Sequence, residues 1–283
     1  MSERNVLDRL RAPGPLVAVE LRPPPAGLAA GDAMDTWIDL AHDVRRLARH
    51  DTVLFLTDNA VGAAEEENLR HLATNLAEEI SPRRVVPFLT SKHSLDYCAM
   101  YAARAAGHGY QALTVLGGDL RVGAPRCVPH AYQLRQILRA RVPGLALGGW
   151  ANPHRDAARQ VDFLLDAGYS AEFYLTQVVS HHDLRAVEAF LREAERRAVP
   201  QPGVFGVFLY RSANPKTLAR LAEFLPVPAE GVTRDFAAGR SAEEICAETI
   251  RRLREVGAER VYVSNLGVRN AAERYRGLVD AIG

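Results

Sequence analysis

Short apolar runs alternate with longer amphipathic segments from one end of this 283-residue chain to the other. The apolar runs contain few polar residues, as do strands that are buried on both faces of a parallel sheet. There are about eight of them: Leu16–Leu21, Thr52–Thr57, Val85–Thr90, Ala112–Gly117, Leu145–Trp150, Glu172–Gln177, Val204–Leu209 and Arg260–Asn265. Eight strand–helix units in a chain of this length predict a single (βα)8 barrel, a TIM barrel, over residues 1–283.

Helical signals lie in the gaps between these runs. Leucines spaced three and four apart predict a helix over Glu65–Ile80. Ser241–Val256 opens with the Ser-Ala-Glu-Glu pattern of a capping box, and Asn214-Pro215 is typical of a helix start. A doubly wound sheet is the competing architecture, but no Gly-x-Gly-x-x-Gly follows the first strand. We therefore favour the barrel.

The composition narrows the classes of function. The formal net charge of +1 gives no basic footprint for nucleic acid or an anionic membrane. No apolar run approaches the roughly 20 residues needed to span a bilayer, and the N-terminus lacks the pattern of a signal peptide. Cys98, Cys127 and Cys246 form neither a disulfide framework nor a metal cluster. We expect a cytoplasmic protein, a monomer or homo-oligomer, with a small-molecule partner.

Two apolar runs end at a carboxylate. Gln111–Asp119 stops at two glycines and Asp119, and Leu16–Pro24 carries Glu20 near the end of its strand. Because the carboxyl ends of barrel strands converge on one mouth, Glu20 and Asp119 are predicted to share a site. Two acids there suit acid–base work or stabilisation of a cation. The glycines would allow a flat ligand to approach the backbone closely.

Further strand-end residues are predicted to surround the same mouth: Thr57, Asp58, Thr90, Lys92, His93, Trp150, Gln177 and Asn265. Each is alternatively a loop start or a helix cap. The amide of Gln177 can donate to and accept from a heterocycle. Trp150, after Gly148-Gly149, offers a stacking face beside open backbone, or is a core aromatic at the rim. Lys92 could form a Schiff base, although its polar neighbours favour a solvated loop lysine.

Two other features follow strands four and six. The loop Leu120–Pro129 is rich in Gly, Pro and Arg and could act as a rim or lid. His181 and His182 are adjacent, and adjacent residues rarely ligate one ion unless the loop bends sharply. A helix cap by Ser180 or Asp183 is the favoured role for this segment. No His-x-x-x-His or Cys-x-x-Cys spacing indicates zinc, so no metal site is predicted.

Over nearly the whole chain, these pieces together resemble the methylenetetrahydrofolate reductase family. The family's first strand ends Glu-Phe-Phe-Pro-Pro, which is similar to Glu20–Pro24, and its fourth ends Leu-Arg-Gly-Asp, which is similar to Leu116–Asp119. The other matching pieces are Thr57, Phe88-Leu-Thr90, Trp150-Ala-Asn-Pro-His154, Asp166-Ala-Gly168 and Thr176-Gln177. The order and spacing of these pieces carry the resemblance.

The resemblance implies roles for individual residues. Glu20 would protonate the folate during ring opening, Asp119 would lie beside the pterin and the flavin, and Gln177 would contact the pterin and the nicotinamide. Thr57 would help to bind the substrate. Residues at the cofactor would be Thr57, Leu116, Gly118, Trp150 and His154. The implied reaction is reduction of 5,10-methylenetetrahydrofolate to 5-methyltetrahydrofolate with NAD(P)H, in one-carbon metabolism and methionine biosynthesis.

The departures from the family pattern concern the flavin. Gly117 stands where the family has arginine, Phe88 where it has histidine, and Phe163 with Leu164 where it has a basic pair. Pro215 replaces a phenylalanine that would stack on the nicotinamide. Because a diphosphate needs donors or positive charge, we expect FAD to bind weakly or not at all. The alternatives are a non-catalytic folate-binding or regulatory homologue, and an unrelated barrel lyase.

Overall fold

The computed structural model describes residues 5–58, 69, 80–119, 123–267 and 269–283. Eight parallel strands close into a barrel in chain order, each paired with the next and the last with the first. They are β1 Leu16–Leu21, β2 Leu54–Leu56, β3 Val85–Thr90, β4 Ala112–Leu116, β5 Ala146–Ala151, β6 Phe173–Val179, β7 Gly203–Phe208 and β8 Arg260–Ser264. The predicted (βα)8 barrel is confirmed.

Ten α-helices surround the strands in the described part of the chain. They are α1 Val6–Arg11, α2 Ala30–Leu47, α3 Leu95–Gly107, α4 Ala131–Arg141, α5 Ala157–Leu165, α6 Arg185–Arg196, α7 Pro215–Ala222, α8 Ala229–Ala237, α9 Ala242–Glu255 and α10 Ala271–Ile282. The Ser241–Glu244 capping box is present at α9, and Asn214 caps α7. The helix predicted over Glu65–Ile80 lies almost entirely outside the described residues. No described helix has the length and apolar character to cross a membrane.

The barrel interior is filled by side chains at its lower, N-terminal end. Phe55 packs edge-to-face against Phe88 and Tyr262, with ring centroids 6.0 and 6.1 Å apart. Helix α1 packs the fully buried Val6 and Leu10 into the same cluster. Because side chains fill this end of the barrel, the space for a ligand lies at the carboxyl ends of the strands. Barrel enzymes have their active sites there.

The glycine pair of β5 serves packing. A Cβ on Gly148 would overlap the ring of Phe173, and one on Gly149 would overlap the hydroxyl of Tyr169. Both glycines are buried between these aromatic rings. The expectation of open backbone beside Trp150 was therefore wrong, because aromatic side chains of the protein already fill the space.

We expect Gly148→Ala to lower the free energy of unfolding by about 1–3 kcal/mol, the usual effect of overpacking a filled core. Gly144→Ala is the matched control, since Gly144 is exposed and a Cβ there meets nothing within 4 Å. Urea unfolding followed by circular dichroism measures both variants. Equal midpoints for the two would contradict the packing role.

Candidate active site

A cavity of about 740 Å³ opens at the carboxyl ends of the strands. This volume is typical of sites for small organic ligands. Seven of the eight residues to which the resemblance assigns roles line it: Glu20, Thr57, Leu116, Gly118, Asp119, Trp150 and Gln177. The structure thus brings the two strand-end acids into one cavity, together with the strand-six amide.

Glu20 stands at the end of β1, half-buried, beside the neighbouring strand β8. The hydroxyl of Ser264 donates to Glu20 Oε1 over 2.5 Å and so orients the carboxyl group. Deeper in the cavity, Tyr262 donates its hydroxyl proton to the carbonyl oxygen of Thr176 at 2.6 Å. Burial and the negative charge of Glu20 raise the pKa of Tyr262 well above its usual range. Tyr262 therefore stays neutral under Glu20.

A β-bulge positions Gln177. Leu175 pairs with Val204 and Val178 with Gly206, so two residues of β6 lie opposite one of β7. The Val178 N–H donates to Gln177 Oε1 at 2.9 Å, which identifies that atom as the amide oxygen. The amide –NH₂ and the second lone pair of Oε1 are what Gln177 offers to a ligand.

Long cationic side chains cover the glycines after β4. A Cβ on Gly117 would lie 2.6 Å from Cζ of Arg126, and one on Gly118 would lie 2.8 Å from Cγ of Lys92. Both glycines nevertheless line the cavity, so the close approach of a flat ligand to this backbone stays a prediction. Lys92 is also half-buried against Gly118, whereas a solvated loop lysine was predicted. It lies outside the described lining of the cavity.

Arg126 brings a guanidinium group to the place where the resembling family carries arginine. It lines the cavity, donates to the carbonyl oxygen of Gly118, and reaches the carbonyl oxygen of Pro129 at 3.4 Å. The sequence showed only an arginine-containing loop after strand four. Arg126 lies against Gly117 and supplies positive charge from a different position of the chain, whereas residues 120–122 of the predicted rim or lid lie outside the described residues.

Other predicted residues build the rim. His154 lies outside the described lining, with Nε2 2.9 Å from the carbonyl oxygen of Val178. Asp58 accepts from the backbone N–H of Thr90 at 2.8 Å and contacts His93 Nε2 at 2.8 Å, which links the ends of β2 and β3. Asn265 lines the cavity, has a positive φ of 69°, and donates to the carbonyl oxygen of Leu209.

Sequence reasoning missed the contribution of α7. Thr217, Arg220 and Leu221 line the cavity, followed by Phe224 just beyond the helix. Their spacing of three and four puts them on one helical face, which is the signal that could have found them. Phe224 and Phe208 of β7 place aromatic rings in the cavity.

The charged side chains in the described lining of the cavity favour anionic ligands. Arginines at positions 22, 126 and 220 line it together with Glu20 and Asp119, three positive charges against two negative among the described residues. Guanidinium groups are suited to carboxylate and phosphate oxygens.

The surface of α5 is apolar at the positions of the family's basic pair. Phe163 is half exposed and Leu164 is buried. Arg159 lies over the Phe163 ring, with Cζ 5.7 Å from its centroid. Of these three side chains, only Arg159 could donate hydrogen bonds to a phosphate group.

Comparison with known proteins establishes the fold. No family model and no curated protein matches the chain. An uncharacterized protein from Clostridium thermocellum, solved with two copies of 5-methyl-5,6,7,8-tetrahydrofolic acid, is similar over 98% of this chain and 99% of its own, with a TM-score of 0.67 at 16% identity. An F420-dependent secondary alcohol dehydrogenase is similar over 96% and 100%, with a TM-score of 0.55 at 9% identity. The chain is a TIM-barrel protein with a ligand-sized cavity at its strand ends.

Proposed function

We propose that this protein is a methylenetetrahydrofolate reductase-like enzyme that reduces 5,10-methylenetetrahydrofolate with NAD(P)H and holds FAD weakly or not at all. One observation carries the proposal: Glu20, Asp119 and Gln177, the residues that the resemblance assigns to folate chemistry, line a single cavity. The fold's likeness to a protein that binds 5-methyltetrahydrofolate supports the same class of ligand. The reaction would belong to one-carbon metabolism and supply methyl groups for methionine biosynthesis.

The first step is ring opening. Glu20, in its acid form, protonates the amine nitrogen of the folate's five-membered ring, and the adjacent carbon–nitrogen bond breaks. The carbon left on the other nitrogen becomes an iminium ion. Ser264 holds one carboxyl oxygen, so the proton is presented in a defined direction. Glu20 regains its proton from water after turnover.

The second step is hydride transfer. The iminium carbon accepts a hydride from C4 of the nicotinamide, which gives the methyl group and NAD(P)⁺. The carboxylate of Asp119 stabilises the positive charge that forms before this transfer. Gln177 orients the pterin through its amide.

The cavity walls suit both reactants. Trp150, Phe208 and Phe224 provide faces on which flat rings stack and from which water is excluded. Arg22 and Arg220 stand where the glutamyl carboxylates of a folate or the phosphates of a dinucleotide would be neutralised.

The proposed reduction of methylenetetrahydrofolate does not use FAD. The exposed ring of Phe163 and the buried side chain of Leu164, where a basic pair would be needed, support weak flavin binding or none. The guanidinium of Arg126 restores charge near Gly117, where it suits the phosphates of a dinucleotide substrate equally well. Direct hydride transfer from the nicotinamide to the iminium ion moves two electrons, which is what the iminium carbon requires.

The test uses the purified protein, scanned first for flavin absorbance. NADH and NADPH oxidation is then followed with 5,10-methylenetetrahydrofolate, and the product is identified by chromatography. We expect 5-methyltetrahydrofolate without added FAD. Absence of turnover with either nucleotide, with or without FAD, would overturn the reductase proposal.

The alternative is a non-catalytic folate-binding or regulatory homologue, which the exposed Phe163 in place of a basic residue also favours. Calorimetry with 5-methyltetrahydrofolate separates the two, because binding without turnover supports the alternative and absence of binding rejects it. A lyase that uses Lys92 is disfavoured, since Lys92 lies outside the described cavity lining. Borohydride trapping with a carbonyl substrate, compared with Lys92→Ala, tests that reading.

We expect Arg126→Ala to raise the Kd for NAD(P)H about tenfold or more, the usual effect of losing a hydrogen bond to a charged group. Combining it with Gly117→Arg returns the guanidinium to the family's position and is expected to restore most of the affinity. Arg141→Ala, an exposed arginine of α4, is the control. Fluorescence titration measures the three Kd values. Equal affinity in Arg126→Ala and Arg141→Ala would contradict the role of Arg126.

A further inference from the structure

Two adjacent histidines and an aspartate cluster outside the catalytic cavity. His181 and His182 follow β6, and Asp235 lies on α8. Nε2 of His181 is 3.5 Å, and Nε2 of His182 is 3.0 Å, from Oδ2 of Asp235. The loop bends enough to bring both rings to one carboxylate, with ring centroids 3.9 Å apart.

The segment before α6 does not cap that helix as expected. The N-cap position is Leu184, with no side-chain hydrogen bond. Ser180 instead accepts from the backbone N–H of His182 at 3.4 Å. The loop conformation therefore presents the imidazoles to Asp235. Neither Ser180 nor Asp183 caps helix α6.

The hydrogen bonds of Thr249 indicate the tautomer of His181. Thr249 donates its hydroxyl proton to the carbonyl oxygen of Ile245 at 3.3 Å, so its oxygen accepts from His181 Nδ1 at 2.7 Å. A neutral His181 then turns the lone pair of Nε2 towards Asp235. A lone pair facing a carboxylate oxygen is repulsive unless a cation lies between them.

The other two ligand atoms lack hydrogen bonds. Nε2 of His182 and Oδ2 of Asp235 are buried and, although 3.0 Å apart, are not aligned for a hydrogen bond. The second oxygen of Asp235 accepts from Nη1 of Arg240 at 3.0 Å. Buried polar atoms rarely lack a hydrogen-bond partner in a native fold. A bound metal ion would satisfy both of these atoms.

We propose that His181, His182 and Asp235 bind a divalent transition metal, with zinc the best fit and water as the fourth ligand. Bonds of about 2.0–2.2 Å to a tetrahedral ion place neighbouring ligand atoms about 3.3 Å apart. The observed 3.0 and 3.5 Å lie on either side of that value. Two imidazole nitrogens and one carboxylate oxygen form a donor set that zinc accepts readily.

The surroundings support the three ligands. Thr249 orients His181, and Arg240 orients Asp235, as outer partners do at metal sites. A Cβ on Gly231 would lie 2.5 Å from the His182 ring, so a glycine in α8 makes room for this ligand. A bound ion would link the loop after β6 to α8, independently of the folate chemistry proposed above.

The test uses untagged protein that has been treated with a chelator and dialysed. We expect calorimetry to show one zinc ion per chain, and cobalt to give the visible absorption of a tetrahedral site. Saturating zinc is expected to raise Tm by about 5 °C or more relative to the metal-free protein. Thr249→Val is expected to weaken binding about tenfold, because it removes only the outer partner.

Matched variants separate a metal site from a simple ion pair. His182→Ala and Asp235→Asn are expected to lose stoichiometric binding, whereas His108→Ala, at an exposed histidine, retains it. Asp235→Asn preserves shape, and circular dichroism checks that it folds. If wild-type protein binds no zinc at one equivalent, or if Asp235→Asn binds it equally well, the proposal is overturned.

Discussion

Replacing Glu20 with glutamine is expected to lower kcat for methylenetetrahydrofolate reduction about 10³-fold, within the range for loss of a general acid. Glutamine keeps the shape of the side chain and its contact with Ser264, but has no proton of suitable acidity to give. Binding of 5-methyltetrahydrofolate, measured by calorimetry, should change little, because the product requires no proton.

Ser264→Ala is the control for Glu20. It removes the hydrogen bond to Oε1 but leaves the acid in place, so we expect a much smaller loss of kcat and a shifted pH profile. A Glu20→Gln enzyme that keeps more than about a tenth of wild-type kcat would contradict the assignment of Glu20 as the acid.

Replacing Asp119 with asparagine is expected to lower kcat about 10²–10³-fold, the usual loss when one group that stabilises a developing charge is removed. The carboxylate stabilises the iminium ion, which exists only after ring opening, so KM for the folate should change much less. Steady-state kinetics with varied folate separates the two parameters.

Asp183→Asn is the control for Asp119, since Asp183 is exposed and lies outside the described cavity lining. It should leave both parameters near their wild-type values. An Asp119→Asn enzyme that shows a raised KM with unchanged kcat would assign Asp119 to substrate binding alone.

The barrel was predictable because buried parallel strands are continuous apolar runs that any reader of the sequence can count. The helix N-caps at Asn214 and Ser241 were also predictable, because each depends only on residues within one helical turn. The convergence of Glu20 and Asp119 followed from the barrel itself, which brings the carboxyl ends of all strands to one mouth.

The features that sequence reasoning missed depend on contacts between distant parts of the chain. A glycine in the sequence indicates room, but only the fold shows that Tyr169 fills the space at Gly149 and Arg126 the space at Gly117. A β-bulge at Gln177 leaves no distinct signature in the sequence. The meeting of His181 and Asp235 likewise requires α8 to fold back onto the end of β6.

The central claim is direct hydride transfer from nicotinamide to the opened folate. The most direct measurement uses NAD(P)H deuterated at the transferable C4 position and mass spectrometry of the product, with protein stripped of flavin. We expect one deuterium in the methyl group of 5-methyltetrahydrofolate. A methyl group without deuterium, as expected if the hydride passed through a flavin nitrogen that exchanges with water, would contradict it, as would the absence of product.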